Sequence, residues 1–234
     1  MIGIIGAMAV EVEDLIEIMS DKRMENISGT LYHIGKVKGM DCVVAQCGVG
    51  KVAAAVCAQT MILKYQPQVL INVGVAGGIG ENIHIGDIVI SRGLVQHDMD
   101  TSALGDEKGM ISGINMVVIP ASQNLVNQVA SAAAGIYGDG VHVGIIATGD
   151  QFICDAGKLK RLAVEFDASA CEMEGGSIAQ VCWINKVDFV VIRAISDNAD
   201  EDASVDFATF AVVSAHKITE LIMEVLQNLD EILR

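Results

Sequence analysis

Positive charge is scarce in this chain. Fifteen lysines and arginines stand against thirty aspartates and glutamates, leaving a formal net charge of −15 at pH 7 and a pI near 4.5. A nucleic acid or an anionic membrane would need a cationic face to bind, so neither is an expected partner. Aromatic residues are also few, at 4 %, although hydrophobic residues make up 52 %. The core must therefore be built from Val, Ile, Leu and Ala, the palette of strands buried on both faces. Proline occurs twice, at Pro67 and Pro120, and no Gly/Ser-rich or low-complexity stretch marks a linker. One continuous α/β domain over residues 1–234 is the simplest account.

Other absences narrow the chemistry. No uninterrupted apolar run reaches the roughly 18 residues of a membrane span, and the opening MIGIIGAM lacks the charged start and long apolar stretch of a secretory signal. A cytoplasmic protein is expected. The six cysteines form no C-x-x-C pair and sit mostly in apolar runs, which marks them as small buried hydrophobes. The five histidines (His33, His84, His97, His142 and His216) show no zinc-like spacing, so no metal and no cofactor is expected.

Short apolar runs alternate with longer amphipathic ones, the signature of βαβ units. Strands are predicted at 2–6, 31–36, 41–47, 69–73, 87–91, 116–118, 141–147, 170–173 and 189–195, and helices at 11–18 and 52–63. From about 207 to 233, apolar residues recur at Ile218, Leu221, Ile222, Val225, Leu226, Leu229 and Ile232, which is helical spacing.

The glycine clusters do not form a nucleotide-phosphate loop. Gly48-Val49-Gly50-Lys51 is followed by Val52 where a P-loop needs Ser or Thr, and Ala45 stands where its first glycine belongs. Gly74-Val75-Ala76-Gly77-Gly78-Ile79-Gly80 does not align with G-x-G-x-x-G. Taken alone, these glycines fit tight turns as well as binding loops.

Polar residues fall in a more telling pattern, at the carboxyl ends of apolar strands. Gly6-Ala7-Met8 leads to Glu11; Thr148-Gly149-Asp150-Gln151-Phe152, Glu172-Met173-Glu174-Gly175-Gly176 and Arg193-Ala194-Ile195-Ser196-Asp197 end three more strands. Ligand crevices of open α/β sheets lie at such ends, so these segments are expected to converge on one pocket. Any one carboxylate has a plainer explanation, and Asp197 after a buried strand also fits the cap of the next helix.

Taken in order along the chain, these motifs, with Gly3-Ile4-Ile5-Gly6-Ala7-Met8, Gly48-Val49-Gly50-Lys51-Val52-Ala53-Ala54-Ala55 and Val75-Ala76-Gly77-Gly78, closely resemble the 5′-methylthioadenosine/S-adenosylhomocysteine nucleosidase family. The resemblance implies a single-domain nucleoside phosphorylase-like fold, a mixed central β-sheet flanked by helices, and a homodimer. It implies Glu11 as the base that activates water and Asp197 as the acid that protonates adenine at N7. Glu174 would hold a ribose hydroxyl, Met173 would lie against the sugar, and Arg193 and Ser196 would belong to the same region. Phe152 would stack on adenine and the backbone of Ile153 would bond its edge. Met8, Val49 and Phe207 would help enclose the ribose and the 5′-thio group, Val75 would be a further substrate-binding position, and the Thr101 region would reach into the partner's site.

The chemistry is coherent on its own terms. Cleaving a glycosidic bond through an oxocarbenium-like transition state needs one carboxyl group to protonate the leaving group and another to activate water. Two departures stand out: Val75 lies where many members carry Ser, and Leu104 where an aromatic is common. Three alternatives stay open. They are an aminofutalosine-type nucleosidase, a phosphate-dependent phosphorylase and a non-catalytic nucleoside-binding protein. A phosphorylase needs arginines for phosphate, yet Arg23, Arg92, Arg161, Arg193 and Arg234 all lie outside the Gly6 and Gly74 loops.

Overall fold

The computed structural model describes residues 1–80, 82–198 and 203–229. β1 (Ile2–Gly6) passes through a 3-10 turn at Ala9–Glu11 into α1 (Glu13–Ile18). β2 (Ser20–Ile27), β3 (Thr30–Val37) and β4 (Met40–Gln46) follow, then α2 (Lys51–Tyr65) and β5 (Val69–Gly78). The order continues with β6 (Ile88–Gln96), β7 (Val118–Pro120), α3 (Gln123–Tyr137), β8 (Val141–Thr148) and α4 (Ala156–Phe166). It ends with β9 (Ala168–Glu172), α5 (Gly175–Asn185), β10 (Asp188–Asp197) and α6 (Ala203–Leu229).

All these strands join one mixed sheet, as expected for a nucleoside phosphorylase-like fold. β1 pairs in parallel with β4 and β5, and β5 pairs in parallel with β10. β10 then runs antiparallel to β6, β6 parallel to β8, β8 parallel to β9, and β9 returns antiparallel to β5. These pairings close a ring, from which β1, β4, β3 and β2 extend as an open wing. Every residue of β1 and β5 is buried, as is all of β10 except its first position, which suits their Val/Ile-rich sequences. α6 packs on β10 and against α3, burying Ile218, Leu221, Ile222, Val225 and Leu226. That is the predicted stripe as far as Leu226; the Leu229 side chain and the Ile232 position lie outside what is described.

Several elements differ from the sequence reading for identifiable reasons. The strand expected to stop at Val73 runs through the glycines to Gly78, because glycine in a strand serves close approach as well as turning. β2 was not predicted: Ser20–Ile27 is mostly exposed and polar, and it is held by hairpin pairing to β3. The two-residue turn Ser28-Gly29 has φ of 53° and 83°, the positive pair that tight hairpins require. The short strand expected at 116–118 lies at Val118–Pro120, on β6. α3, α4 and α5 were also missed. α5 carries apolar residues at its exposed positions as well as its buried ones and so lacks an amphipathic stripe, whereas Asp155 does announce α4 by capping the N–H of Lys158 at 2.6 Å. Five of the cysteines are buried and free, as expected, but Cys154 is exposed.

Candidate active site

A cavity of about 360 Å³ opens where β1, β5, β9 and β10 end. Its walls include Met8, Glu11, Val49, Val75, Phe152, Met173, Glu174, Ser196, Asp197 and Phe207. Ten of the candidate residues are thus brought together from segments far apart in sequence. Arg193 and Ile153 are not among the walls. Arg193 is buried behind them, and the Ile153 side chain packs with Leu162 and Phe166 beside a separate cavity.

Glu11 sits at the end of the 3-10 turn after β1, at 3 % exposure. Its Oε2 accepts from the N–H groups of Ala7 at 2.7 Å and Met8 at 2.9 Å, and its Oε1 from the N–H of Val75 at 3.0 Å. Val75 therefore grips the carboxylate through its backbone, although its side chain cannot. Burial pushes the Glu11 carboxyl above its ordinary value, against the opposing pull of Arg193 and the three N–H donors. Gly74 makes room for this arrangement: a Cβ there would lie 2.5 Å from Glu11 Oε1.

Asp197 is the last residue of β10 and 2 % exposed, with Ser196 Oγ donating to its Oδ2 at 2.9 Å. Asn198, which follows it, is not helical, so no helix starts directly behind Asp197. Glu174 accepts from the N–H of Gly50 at 2.9 Å, which places a carboxylate at the N-terminus of α2, where the helix dipole favours negative charge. Burial and the neighbouring Glu172 push Glu174 up to about 7, against Arg193 and the Gly50 N–H. Phe152 meets Phe207 edge to face, with ring centroids 5.7 Å apart.

Glu172, Asn72, Gly74 and Thr148 belong to the buried network beside the cavity, and sequence reasoning gave none of them a role. Glu172 accepts from the Thr148 hydroxyl, from Arg193 Nη2 and from the N–H groups of Glu174 at 2.9 Å and Gly175 at 2.7 Å. Burial would raise its carboxyl, but Arg193 and these donors hold it below the usual carboxylate range. Arg193 Nη2 also donates to Asn72 Oδ1 at 2.7 Å, and Asn72 Nδ2 to the carbonyl of Ile5 at 2.9 Å, which ties the guanidinium to β1. The available signal was a charged residue inside an otherwise apolar strand; what it pairs with was not readable.

Around the mouth, the segment leading into α2 is fastened from outside. Lys51 donates its N–H to Asp150 at 2.8 Å and pairs through Nζ with Asp98 at 2.6 Å, and Asp98 accepts from the Asp150 N–H at 3.0 Å. The Gly48-Val49-Gly50 turn is thereby held against the loop that carries Phe152.

Fold and site together define an α/β enzyme that receives a small ligand among buried carboxylates at converging strand ends. The family model described as the phosphorylase superfamily matches residues 1–227. A 5′-methylthioadenosine/S-adenosylhomocysteine nucleosidase of Shewanella loihica is 41 % identical over 229 residues, covering 97 % of this chain and 99 % of that one. The chain belongs to the phosphorylase superfamily and, within it, to the 5′-methylthioadenosine/S-adenosylhomocysteine nucleosidases, which are N-glycosyl hydrolases. The solved nucleosidase of Neisseria meningitidis, in complex with methylthio-immucillin-A, superposes with a TM-score of 0.93 at 32 % identity, covering 97 % of this chain and 98 % of that one. A futalosine hydrolase of Helicobacter pylori superposes with a TM-score of 0.92 at 34 % identity, covering 97 % of each chain.

Proposed function

We propose that the chain, acting as one nucleosidase domain over residues 1–234, hydrolyses the N-glycosidic bond of 5′-methylthioadenosine and S-adenosylhomocysteine, releasing adenine and the 5′-thioribose. One observation carries the reading: Glu11, Glu174 and Asp197 meet in a single cavity, with Glu11 aimed by three backbone N–H groups. As the bond between C1′ and adenine N9 breaks, Asp197 gives a proton to N7 and Glu11 takes one from the water that attacks C1′. Glu174 holds a ribose hydroxyl and faces the developing positive charge on the sugar. Phe152 stacks on the base, and Met8, Met173, Val49 and Phe207 enclose the sugar and the thio substituent. Such a reaction fits a cytoplasmic enzyme of methionine salvage.

Two further readings are separated by experiment. The likeness to futalosine hydrolase favours an aminofutalosine-type substrate as the second choice, since adenine and ribose are common to both. Against a phosphorylase stands the positive N-terminus of α2, where Gly50 already donates to the Glu174 carboxylate. Loss of nucleoside absorbance is measured over a panel of 5′-methylthioadenosine, S-adenosylhomocysteine and aminofutalosine, with and without phosphate. Turnover of the first two in phosphate-free buffer is expected, and Asp197→Asn should lower kcat by about 10²–10⁴-fold with little change in Tm. Ribose 1-phosphate as product would establish the phosphorylase instead.

The reading includes a homodimer in which the Thr101 region reaches the partner's cavity. It is supported by Leu104, 84 % exposed at the end of the turn Ser102–Leu104. Sedimentation at assay concentration should show a dimer; a fully active monomer would refute the pairing.

A further inference from the structure

Three carboxylates and one guanidinium share the buried floor of the site, and the guanidinium is committed to the carboxylate that the proposed chemistry does not use. Arg193 bonds Glu172, while its Nη2 lies 3.9 Å from Glu174 Oε2. A Cβ on Gly74 would stand 2.5 Å from Glu11 Oε1 and 3.0 Å from Arg193 Nη1, so Glu11 and Arg193 both border the same bare stretch of β5. Among the described residues Arg193 is the one buried arginine. If Glu172 were neutral, its charge would fall to the two neighbours already within reach.

We propose that Glu172 is a positioning residue for the hydrolysis assigned above: by holding Arg193, it keeps the guanidinium from neutralising Glu11 and Glu174, so that Glu11 stays basic enough to take a proton from water. The inference rests on that reading of the site.

The groups around the network all bear on this balance. Glu174 is faced by Glu172 in its own turn, Arg193 on β10, Glu11 after β1 and the Cys47 thiol after β4. Glu172 is faced by Arg193, by Thr148 on β8, by Cys171 in its own strand and by His97 past β6, and Asp197 lies near Cys171. Cys171 is pushed up to about 12 by burial and by these two acids, so it adds no charge near neutrality. Apart from Arg193, nothing in this set is held as a cation, since burial lowers His97 below its ordinary value. A base is most effective when its affinity for a proton matches the working pH, and an unopposed guanidinium nearby would weaken it.

Glu172→Gln keeps the shape and one acceptor oxygen for Arg193 and the N–H groups of Glu174 and Gly175, turns its amide NH2 toward the Thr148 hydroxyl oxygen, and removes the charge. The test compares pH profiles of kcat/KM for wild type and Glu172→Gln on 5′-methylthioadenosine, together with their melting temperatures. The acid limb of the variant should move down by about one pH unit, with a lower kcat at its plateau, because Arg193 then favours ionised Glu11 and Glu174. A residue that merely holds the start of α5 would lower Tm and leave the limb in place, and that result would overturn the proposal. A wild type that does not hydrolyse the nucleoside would instead refute the assigned function. Should the variant not fold, wild type carrying ¹³C-carboxyl glutamate gives the same decision by NMR titration. The signal missing from Glu174→Gln should titrate near neutral pH while a buried glutamate stays ionised throughout; a Glu174 ionised down to pH 5 would overturn the proposal.

Discussion

At its inner end the cavity meets Glu11, Glu172 and Glu174, none more than 7 % exposed, whereas at its mouth it meets Val49 at 58 % and Phe152 at 48 %. The inner end is held by backbone N–H groups of its own turns and by two donors from other strands, the Val75 N–H and the Arg193 guanidinium. The outer end consists of apolar side chains on turns, fastened by the exposed contacts of Lys51, Asp98 and Asp150. The inner groups keep their geometry because unsatisfied buried charges are costly. The outer ones are left with apolar surface for a ligand or a partner to cover. Chemistry should therefore be sensitive to small changes inside, and affinity to changes at the mouth.

The largest break of this contrast should come from one methyl group. Gly74→Ala places a Cβ against Glu11 Oε1, and the carboxylate cannot yield without leaving its three N–H donors. A loss in kcat of about 10²-fold is expected from misplacing Glu11, the proposed base, with a fall in Tm from crowding a buried strand by roughly 1–3 kcal/mol. Steady-state kinetics and a thermal melt check both, and an active, stable Gly74→Ala would show that Glu11 does not depend on this opening.

Smaller, and of opposite sign, is the effect of Glu174 on stability. Its folded value of about 7 lies above the ordinary 4.5. A raised value means that its contribution is fully present below about pH 4.5 and is lost as pH rises through 7. Glu174→Gln removes that loss, so its Tm should fall less than wild type's between pH 5 and pH 8, by on the order of 5 °C. Parallel melting curves for the two proteins across that range would contradict the picture. The smallest effect is expected at the mouth, where Phe152→Ala should raise KM by about tenfold, the scale of one lost stacking contact. kcat and Tm should hardly move. A kcat loss as large as that of Gly74→Ala would erase the distinction between the two ends.

The membership of the site was largely written in the residue order. Acids and glycines follow apolar runs at Gly6, Gly74, Glu172 and Ser196, and ten of the candidates meet in one cavity. The α6 stripe was legible for the same reason, since a helix repeats its buried face at a fixed period. α5 was not legible, because apolar residues occupy its exposed positions, Trp183 and Ile184, as well as its buried ones, which leaves no stripe to detect. Nor was the role of Gly74, whose absent side chain matters only when Glu11 arrives from another strand.

By itself the sequence determined which chemical groups are present, which elements can form locally, and that a negative, cysteine-scattered, Val/Ile-rich chain folds as a layered α/β protein. Tertiary structure alone decided which group neutralises which. Arg193 lies within reach of Glu11, Glu172 and Glu174, and pairing of β5 with β10 and β9 sets it on Glu172 while the N–H of Val75 turns toward Glu11. The reason is that a strand's side-chain pattern is a local property, whereas the energy of a buried charge depends on every donor within a few ångströms, and those donors come from segments up to 124 residues apart.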